Sequence, residues 1–158
     1  MGPEVVPGGA AMKTKLKDIL EEKGPVVHTT TPEATVLEAV RAMNDRCIGS
    51  LLVMDGERVV GIFTERDVLR RVVDAGRDPK TTKVADVMSR DMVVIHPEAT
   101  VEETMAVMTE KRCRHLPVLD GDTLLGLVSI GDLTRWVSRL QQHHIKDLVD
   151  YITGRYPA

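Results

Sequence analysis

The segment PEATVLEAVRAM, which begins at Pro32, returns as PEATVEETMAVM at Pro97. Carried forward without a gap at that offset of 65 residues, the register pairs Met43 with Met108, Leu51 with Leu116 and Val53 with Val118. It goes on to pair Asp55-Gly56 with Asp120-Gly121, Gly61 with Gly126, Asp67 with Asp132 and Arg70 with Arg135. Chance does not produce a match of that length, so the chain is two copies of one supersecondary unit. A shorter echo precedes each copy, LKDIL at Leu16–Leu20 against VADVM at Val84–Met88, and the first has the longer connection to its proline.

Each copy reads as strand, helix, strand, strand, helix. The first strand is VVHTT or MVVIH, and Thr35-x-x-Glu38 or Thr100-x-x-Glu103 follows as a capping box that opens a helix. Val36, Val40 and Met43, like Val101, Met105 and Met108, recur at helical spacing on one face. SLLVMDGERVVGIF and HLPVLDGDTLLGLV each describe two apolar runs around a glycine turn, a hairpin. The closing helix starts at Thr64 or Ser129 and runs through Val73 or Val137. One such unit is too small to bury both its sheet and its helices, so the copies are expected to share a core as a pseudo-twofold α+β sandwich. The boundaries expected are a disordered leader over 1–13, repeats over 14–75 and 76–138, and a C-terminal helix and tail over 139–158. In that tail Ile145, Leu148, Val149 and Ile152 keep helical spacing and Gly154 stands as a C-cap.

Composition removes several function classes. Among 158 residues there are one Trp, two Tyr and one Phe, so the core is aliphatic and no aromatic platform for stacked bases exists. A net charge of −3 provides no footprint for nucleic acid, and no apolar run reaches the length of a membrane span. Cys47 and Cys113 lie far apart in apolar surroundings and read as buried free thiols. Neighbouring His143 and His144 cannot share a helix face as metal ligands, so no metal is expected. A cytoplasmic protein follows from these readings, with the Gly- and Pro-rich opening MGPEVVPGGAA set aside as leader.

The positions with chemistry are GIFTERD (Gly61–Asp67) and GLVSIGD (Gly126–Asp132). In each a strand gives way to a helix at a hydroxyl residue, with an acid three positions later. Taken alone this is a helix capping box, and the acid suits the helix dipole. A helix N-terminus with a hydroxyl also suits a phosphate, and a carboxylate offers two acceptors to the adjacent hydroxyls of a ribose. Two such sites are expected, one per copy.

The repeat, the TTTPEAT and IHPEAT entries, the LxVxDG hairpins and the two closings resemble the cystathionine-β-synthase-type (CBS) domain pair over roughly Thr14–Ser138. The tail resembles that of stand-alone bacterial CBS-pair signal-transduction proteins. The family includes the regulatory portions of inosine monophosphate dehydrogenase and the γ subunit of AMP-activated protein kinase. Its members imply an adenine ligand, AMP, ADP, ATP, S-adenosylmethionine or an NAD-type molecule, in the cleft between the repeats. Carried over, the resemblance gives a first site with Asp67 on the ribose, Thr64 on ribose or phosphate, and Thr31, Val36, Ile48 and Ile62 around adenine. The second would use Asp132 and Ser129 likewise, with His96, Val101, Cys113 and Leu127 about the base. The residues before the second hairpin, Arg114 and His115, would reach phosphates, whereas their counterparts Gly49 and Ser50 carry no charge, so the two sites are expected to differ.

The resulting expectation is a regulatory adenine-nucleotide sensor, a homodimer acting on an effector protein and needing no obligatory cofactor. Val68, Leu69 and Leu133 would supply the apolar faces of the dimer. A structural dimerisation module with vestigial sites is the alternative. A nucleotide hydrolase or transferase with Asp67 or Asp132 as base beside His115 fares worse, because no separate nucleophile or metal constellation accompanies those acids.

Overall fold

A computed structural model describes residues 12–139 and 149–153. The leader over Met1–Ala11, the paired histidines, Gln141-Gln142, Ile145, Leu148 and the Gly154 cap lie outside the described residues; 149–153 is helical, with Tyr151 and Ile152 exposed. In chain order the elements are α1 (Leu16–Lys23), β1 (Thr29–Thr30), α2 (Val36–Arg46), β2 (Ser50–Asp55), β3 (Arg58–Thr64) and α3 (Glu65–Asp67). A π-helical stretch (Val68–Val73) follows, then α4 (Val84–Val87), α5 (Val101–Lys111), β4 (His115–Asp120), β5 (Thr123–Ser129) and α6 (Ile130–Arg139). The architecture is α+β, and both copies keep helix, strand, strand, helix in the order expected. Two compact units result: Val26–Val93 makes one, and the chain up to Pro25 joins that from Val94 onward to make the other.

In Val26–Val93 a three-stranded sheet runs β1-β2-β3, with β1 parallel and β3 antiparallel to β2. Val36, Ala39 and Met43 of α2 close on Leu51, Val53 and the one Phe, Phe63, with Val72, Val84, Val87 and Met88 completing the core. Each such aliphatic side chain gains about 1.5–3 kcal/mol on full burial. The other unit buries Leu16, Ile19, Val101, Met108, Leu116, Val118, Val128 and Leu133 around the β4-β5 hairpin. Both hairpins turn on two residues, with Gly56 at φ 63° and Gly121 at φ 61°, a left-handed conformation that glycine adopts without cost. Both carry a bulge, between Val53 and Met54 and between Val118 and Leu119. α2 opens where Thr35 Oγ1 accepts the Glu38 N–H at 3.2 Å, and α5 opens on the reciprocal box of Thr100 and Glu103.

The leading segments pack crosswise to their order in the sequence. α1 precedes the first copy, yet its N–H groups at Leu16 and Lys17 donate to Ala99 and Pro97 of the second PEAT segment. α4 precedes the second copy and donates from Val84 and Ala85 to Ala34 and Pro32 of the first. Even the ion pairs repeat, Lys15 with Glu98 and Lys83 with Glu33, each at 2.7 Å. Each compact unit is therefore one copy plus the helix that precedes the other.

Four expectations need correction. MVVIH is reduced to a single bridge, Ile95 to Val118. In the first copy the Leu52 N–H donates to His28 O; the matching residue is Pro117, which has no N–H to give, so the parallel ladder shortens. The helix after Thr64 is one α turn followed by π-helical bonding, seen where Asp74 N–H reaches Leu69 O. Cys47 is exposed rather than buried, because it caps α2 in the left-handed conformation at φ 53°; Cys113 is half-buried. Leu133 is fully buried and contributes nothing to an outer face, whereas Leu69 and Val73 are 64% and 67% exposed.

Candidate functional site

Strand β3 ends on Thr64 because α3 begins there, and the two residues that make that transition also make the site. Asp67 Oδ2 accepts from Thr64 N–H at 2.9 Å and from Thr64 Oγ1 at 3.2 Å, while Asp67 N–H donates to Thr64 Oγ1 at 3.3 Å. In the second copy Asp132 Oδ2 accepts from Ser129 N–H at 2.8 Å and Asp132 N–H donates to Ser129 Oγ at 3.1 Å. Both acids are thus reciprocal capping residues, and both carboxylates are nearly sealed, 6% and 9% exposed. In each copy the cap bonds one carboxylate oxygen, and the other is met by side chains alone.

The antiparallel register brings the expected neighbours to this corner. Ser50 lies opposite Thr64 and His115 opposite Ser129. Glu65 N–H donates to Gly49 O at 3.1 Å, and Ile130 N–H to Arg114 O at 2.8 Å. Gly49, Ser50, Thr64 and Asp67 therefore gather in one unit, and Arg114, His115, Ser129 and Asp132 in the other. Arg114 is exposed, Ser50 is buried, and Ile62 is buried opposite Leu52. The residues carried over for an adenine slot fare unevenly. Ile48, Cys113 and Leu127 keep partial exposure, and Thr31 and His96 are exposed. Val36 and Val101 are fully buried, so neither offers surface to a ligand in the chain as it stands. His96 Nδ1 accepts the Glu98 N–H at 3.1 Å, and its Nε2 lies 3.7 Å from Asp120.

Sequence reasoning missed the side chains that complete the two carboxylates. Ser89, just past α4, donates from Oγ to Asp67 Oδ1 at 2.9 Å, and its backbone pairs both ways with Ile62, N–H to O at 2.8 and 2.9 Å. Arg71 stands 3.8 Å from the same Oδ1 and donates to Val87 O and Met88 O. An open pocket of about 450 Å³ is lined by Arg71 and Ser89 with Met88, Arg90 and Asp91. In the other unit Lys23, the last residue of α1, donates from Nζ to Asp132 Oδ2 and to Leu127 O, both at 2.8 Å, and Arg135 Nη2 donates to Asp132 Oδ1 at 2.7 Å. Burial pushes the Asp132 carboxyl up, but the Lys23 ammonium and the Ser129 N–H outweigh it and hold the group below the usual carboxylate range. A carboxylate, Glu65, lies over Gly49: a Cβ built there would meet its Cδ at 3.2 Å.

The glycines that open the two motifs make the crosswise packing possible. A Cβ on Gly61 would fall 2.8 Å from Met88 Sδ and 3.0 Å from Ser89 O, and one on Gly126 would fall 2.8 Å from Leu20 Cδ2.

The sequence profile of the CBS domain matches residues 16–74 and 84–139. The chain belongs to the CBS-domain family. The mitochondrial CBS domain-containing protein CBSX3 of Arabidopsis thaliana is 35% identical to it over 152 residues, 90% of this chain and 74% of that protein. A solved CBS-domain protein from Burkholderia ambifaria MC40-6 superposes with a TM-score of 0.75 at 43% identity, over 78% of this chain and 93% of that one. The hexameric CBS-CP12 protein from bloom-forming cyanobacteria gives 0.68 at 33% identity, over 78% and 67%. The CBS repeats account for most of the described chain and carry both capping acids; no described helix is long and apolar enough to cross a membrane.

Proposed function

We propose that this CBS pair is a regulatory sensor of an adenine ribonucleotide, with Asp67 and Asp132 each receiving the vicinal hydroxyls of a ribose. The observation that carries the reading is the duplicated corner: twice the fold seals a carboxylate at the start of a helix and leaves one oxygen to displaceable side-chain donors, Ser89 in one unit and Arg135 in the other. A ribose offers two adjacent hydroxyl donors, which suit the acceptor oxygens of a carboxylate. Arg114 and His115 on the second corner suit phosphate, the Arg by its fork of donors. AMP, ADP, ATP and NAD-type ligands all present this ribose and phosphate. As a sensor without catalysis, the chain would transmit ligand binding to an effector protein by shifting between two arrangements. Cys47 and Cys113, which form no disulfide, suit a reducing compartment such as the cytoplasm. Exposed Leu69 and Val73 suit a homodimer, and assembly in the hexameric cyanobacterial relative supports self-association; a monomeric mass by light scattering would contradict it.

A structural module with vestigial sites has one observation in its favour, since every oxygen of both carboxylates already holds a donor or a nearby cation. Calorimetric titration with AMP and with 2′-deoxy-AMP separates the two. Loss of one hydrogen bond to a charged acceptor, about 1.5–3 kcal/mol, gives AMP an advantage of roughly ten- to a hundred-fold. Equal affinities would contradict the ribose reading, and no binding of either would favour the structural one.

A further inference from the structure

Leu127 and Asp132 stand 65 residues beyond Ile62 and Asp67. At the first corner Ser89 serves both positions, its N–H on Ile62 O and its hydroxyl on Asp67. At the second, one ammonium does both tasks, Lys23 Nζ bonding Leu127 O and Asp132 Oδ2. The two tasks thus fall to a serine in one unit, whose neutral hydroxyl takes Oδ1, and to a cation in the other, which takes the capping oxygen Oδ2. Arg135 adds a second cation on Asp132 Oδ1.

We propose that Lys23 sets the ligand specificity of the second site, making it select anionic ribonucleotides over neutral nucleosides; this rests on the ribose reading above. Asp132 Oδ2 already accepts two short hydrogen bonds, from Ser129 N–H and from Lys23. The Ser129 donor is fixed by the backbone at the helix start, whereas Lys23 comes on a flexible stem and its side chain is 36% exposed. A ribose hydroxyl that takes Oδ2 therefore displaces Lys23. The freed ammonium stays within a stem's reach of the site, beside Arg135. A neutral nucleoside replaces a cationic donor on the carboxylate by a neutral one and leaves that ammonium without its carboxylate. A phosphate on the same ribose gives the ammonium a new charge-assisted partner, so the exchange is no longer unfavourable. At the first corner the donor on Asp67 Oδ1 is the neutral Ser89 hydroxyl, and the Arg71 cation stands farther off at 3.8 Å, held by Val87 O and Met88 O, so displacing the donor frees no charge.

The test uses the full chain carrying Asp67→Ala, so that binding reports the second site, with and without Lys23→Met, titrated with adenosine and with AMP. With Lys23 present AMP binds at least about ten-fold more tightly than adenosine; Lys23→Met strengthens adenosine and weakens AMP, and their ratio falls by about ten-fold or more. Lys23→Arg retains the ratio, and Lys23→Gln, which keeps a neutral donor to Asp132 should the Met variant fold poorly, lowers it as Met does. An unchanged ratio in both Lys23→Met and Lys23→Gln overturns the proposal while leaving the ribose reading intact. Equal binding of AMP and 2′-deoxy-AMP to the Asp67→Ala protein overturns both together.

Discussion

At Ile62 the chain meets Ser89 backbone to backbone, and at Leu127 the matching carbonyl meets the side chain of Lys23. The two corners agree in strand register, in helix cap and in the glycine that lets a neighbouring segment approach. They differ in the side chains hydrogen-bonded to the acid: a serine at the first, with Arg71 only nearby at 3.8 Å, and a lysine with an arginine at the second. Repetition of the fold dictates where each carboxylate stands and that it must be satisfied, because an unpaired buried charge is costly. It does not dictate the charge of the partner: Ser89 and Lys23 come from segments outside the repeated register, and Arg135 stands where the first copy has Arg70.

The largest expected effect falls on that close approach. Gly61→Ala puts a methyl against Met88 and against the carbonyl of Ser89, which is tied to Ile62 and cannot retreat without breaking that pair. A loss of about 2–3 kcal/mol is expected by chemical denaturation. Gly126→Ala meets only the tip of Leu20, with the next atom at 3.5 Å, and a rotamer change absorbs it at under about 1 kcal/mol. Equal losses would mean that the two approaches are mechanically alike and that backbone pairing with Ser89 does not stiffen the first.

Smaller differences sharpen the electrostatic side. Ser89→Ala and Lys23→Met are each expected to cost about 1 kcal/mol or less, since Lys23 is partly screened by water and Arg135 still holds Asp132. Their dependence on pH differs. The folded-state carboxyl of Asp132 titrates below its ordinary range, so it binds protons less readily than in the unfolded chain. Its contribution is complete above the unfolded value of about 4 and is lost as the pH falls through the lower folded value. The destabilisation by Lys23→Met should therefore shrink in urea melts between pH 7 and about pH 3, and shrink again in high salt, while that of Ser89→Ala holds steady in salt. Identical salt profiles would remove the distinction between a charged and a neutral partner.

Much of this was legible beforehand because the register is ungapped. Met43 and Met108 are equally buried, Gly56 and Gly121 turn at nearly the same φ, and both hydroxyl-to-acid caps close as the spacing implies. What escaped depends on segments that cross between the copies. The one sign was the longer connection in the first copy: sixteen positions separate Leu16 from Pro32, and thirteen separate Val84 from Pro97. Those positions extend α1 to eight residues against four in α4, and the extension ends on Lys23. Periodicity assigns such a terminal lysine to solvent, and nothing local indicates that it meets an acid 109 residues away. The loss of the MVVIH strand was readable in principle, since Pro117 lacks the N–H that Leu52 supplies.

The most direct test of inequivalent ribonucleotide sites is one calorimetric series, adenosine and ATP titrated into the wild type, Asp67→Ala and Asp132→Ala. We expect Asp132→Ala to remove the event that tightens with phosphate and to leave one that treats adenosine and ATP more evenly, and Asp67→Ala to do the reverse. Binding that loses both ligands in equal proportion in the two variants, or that neither variant alters, would contradict it.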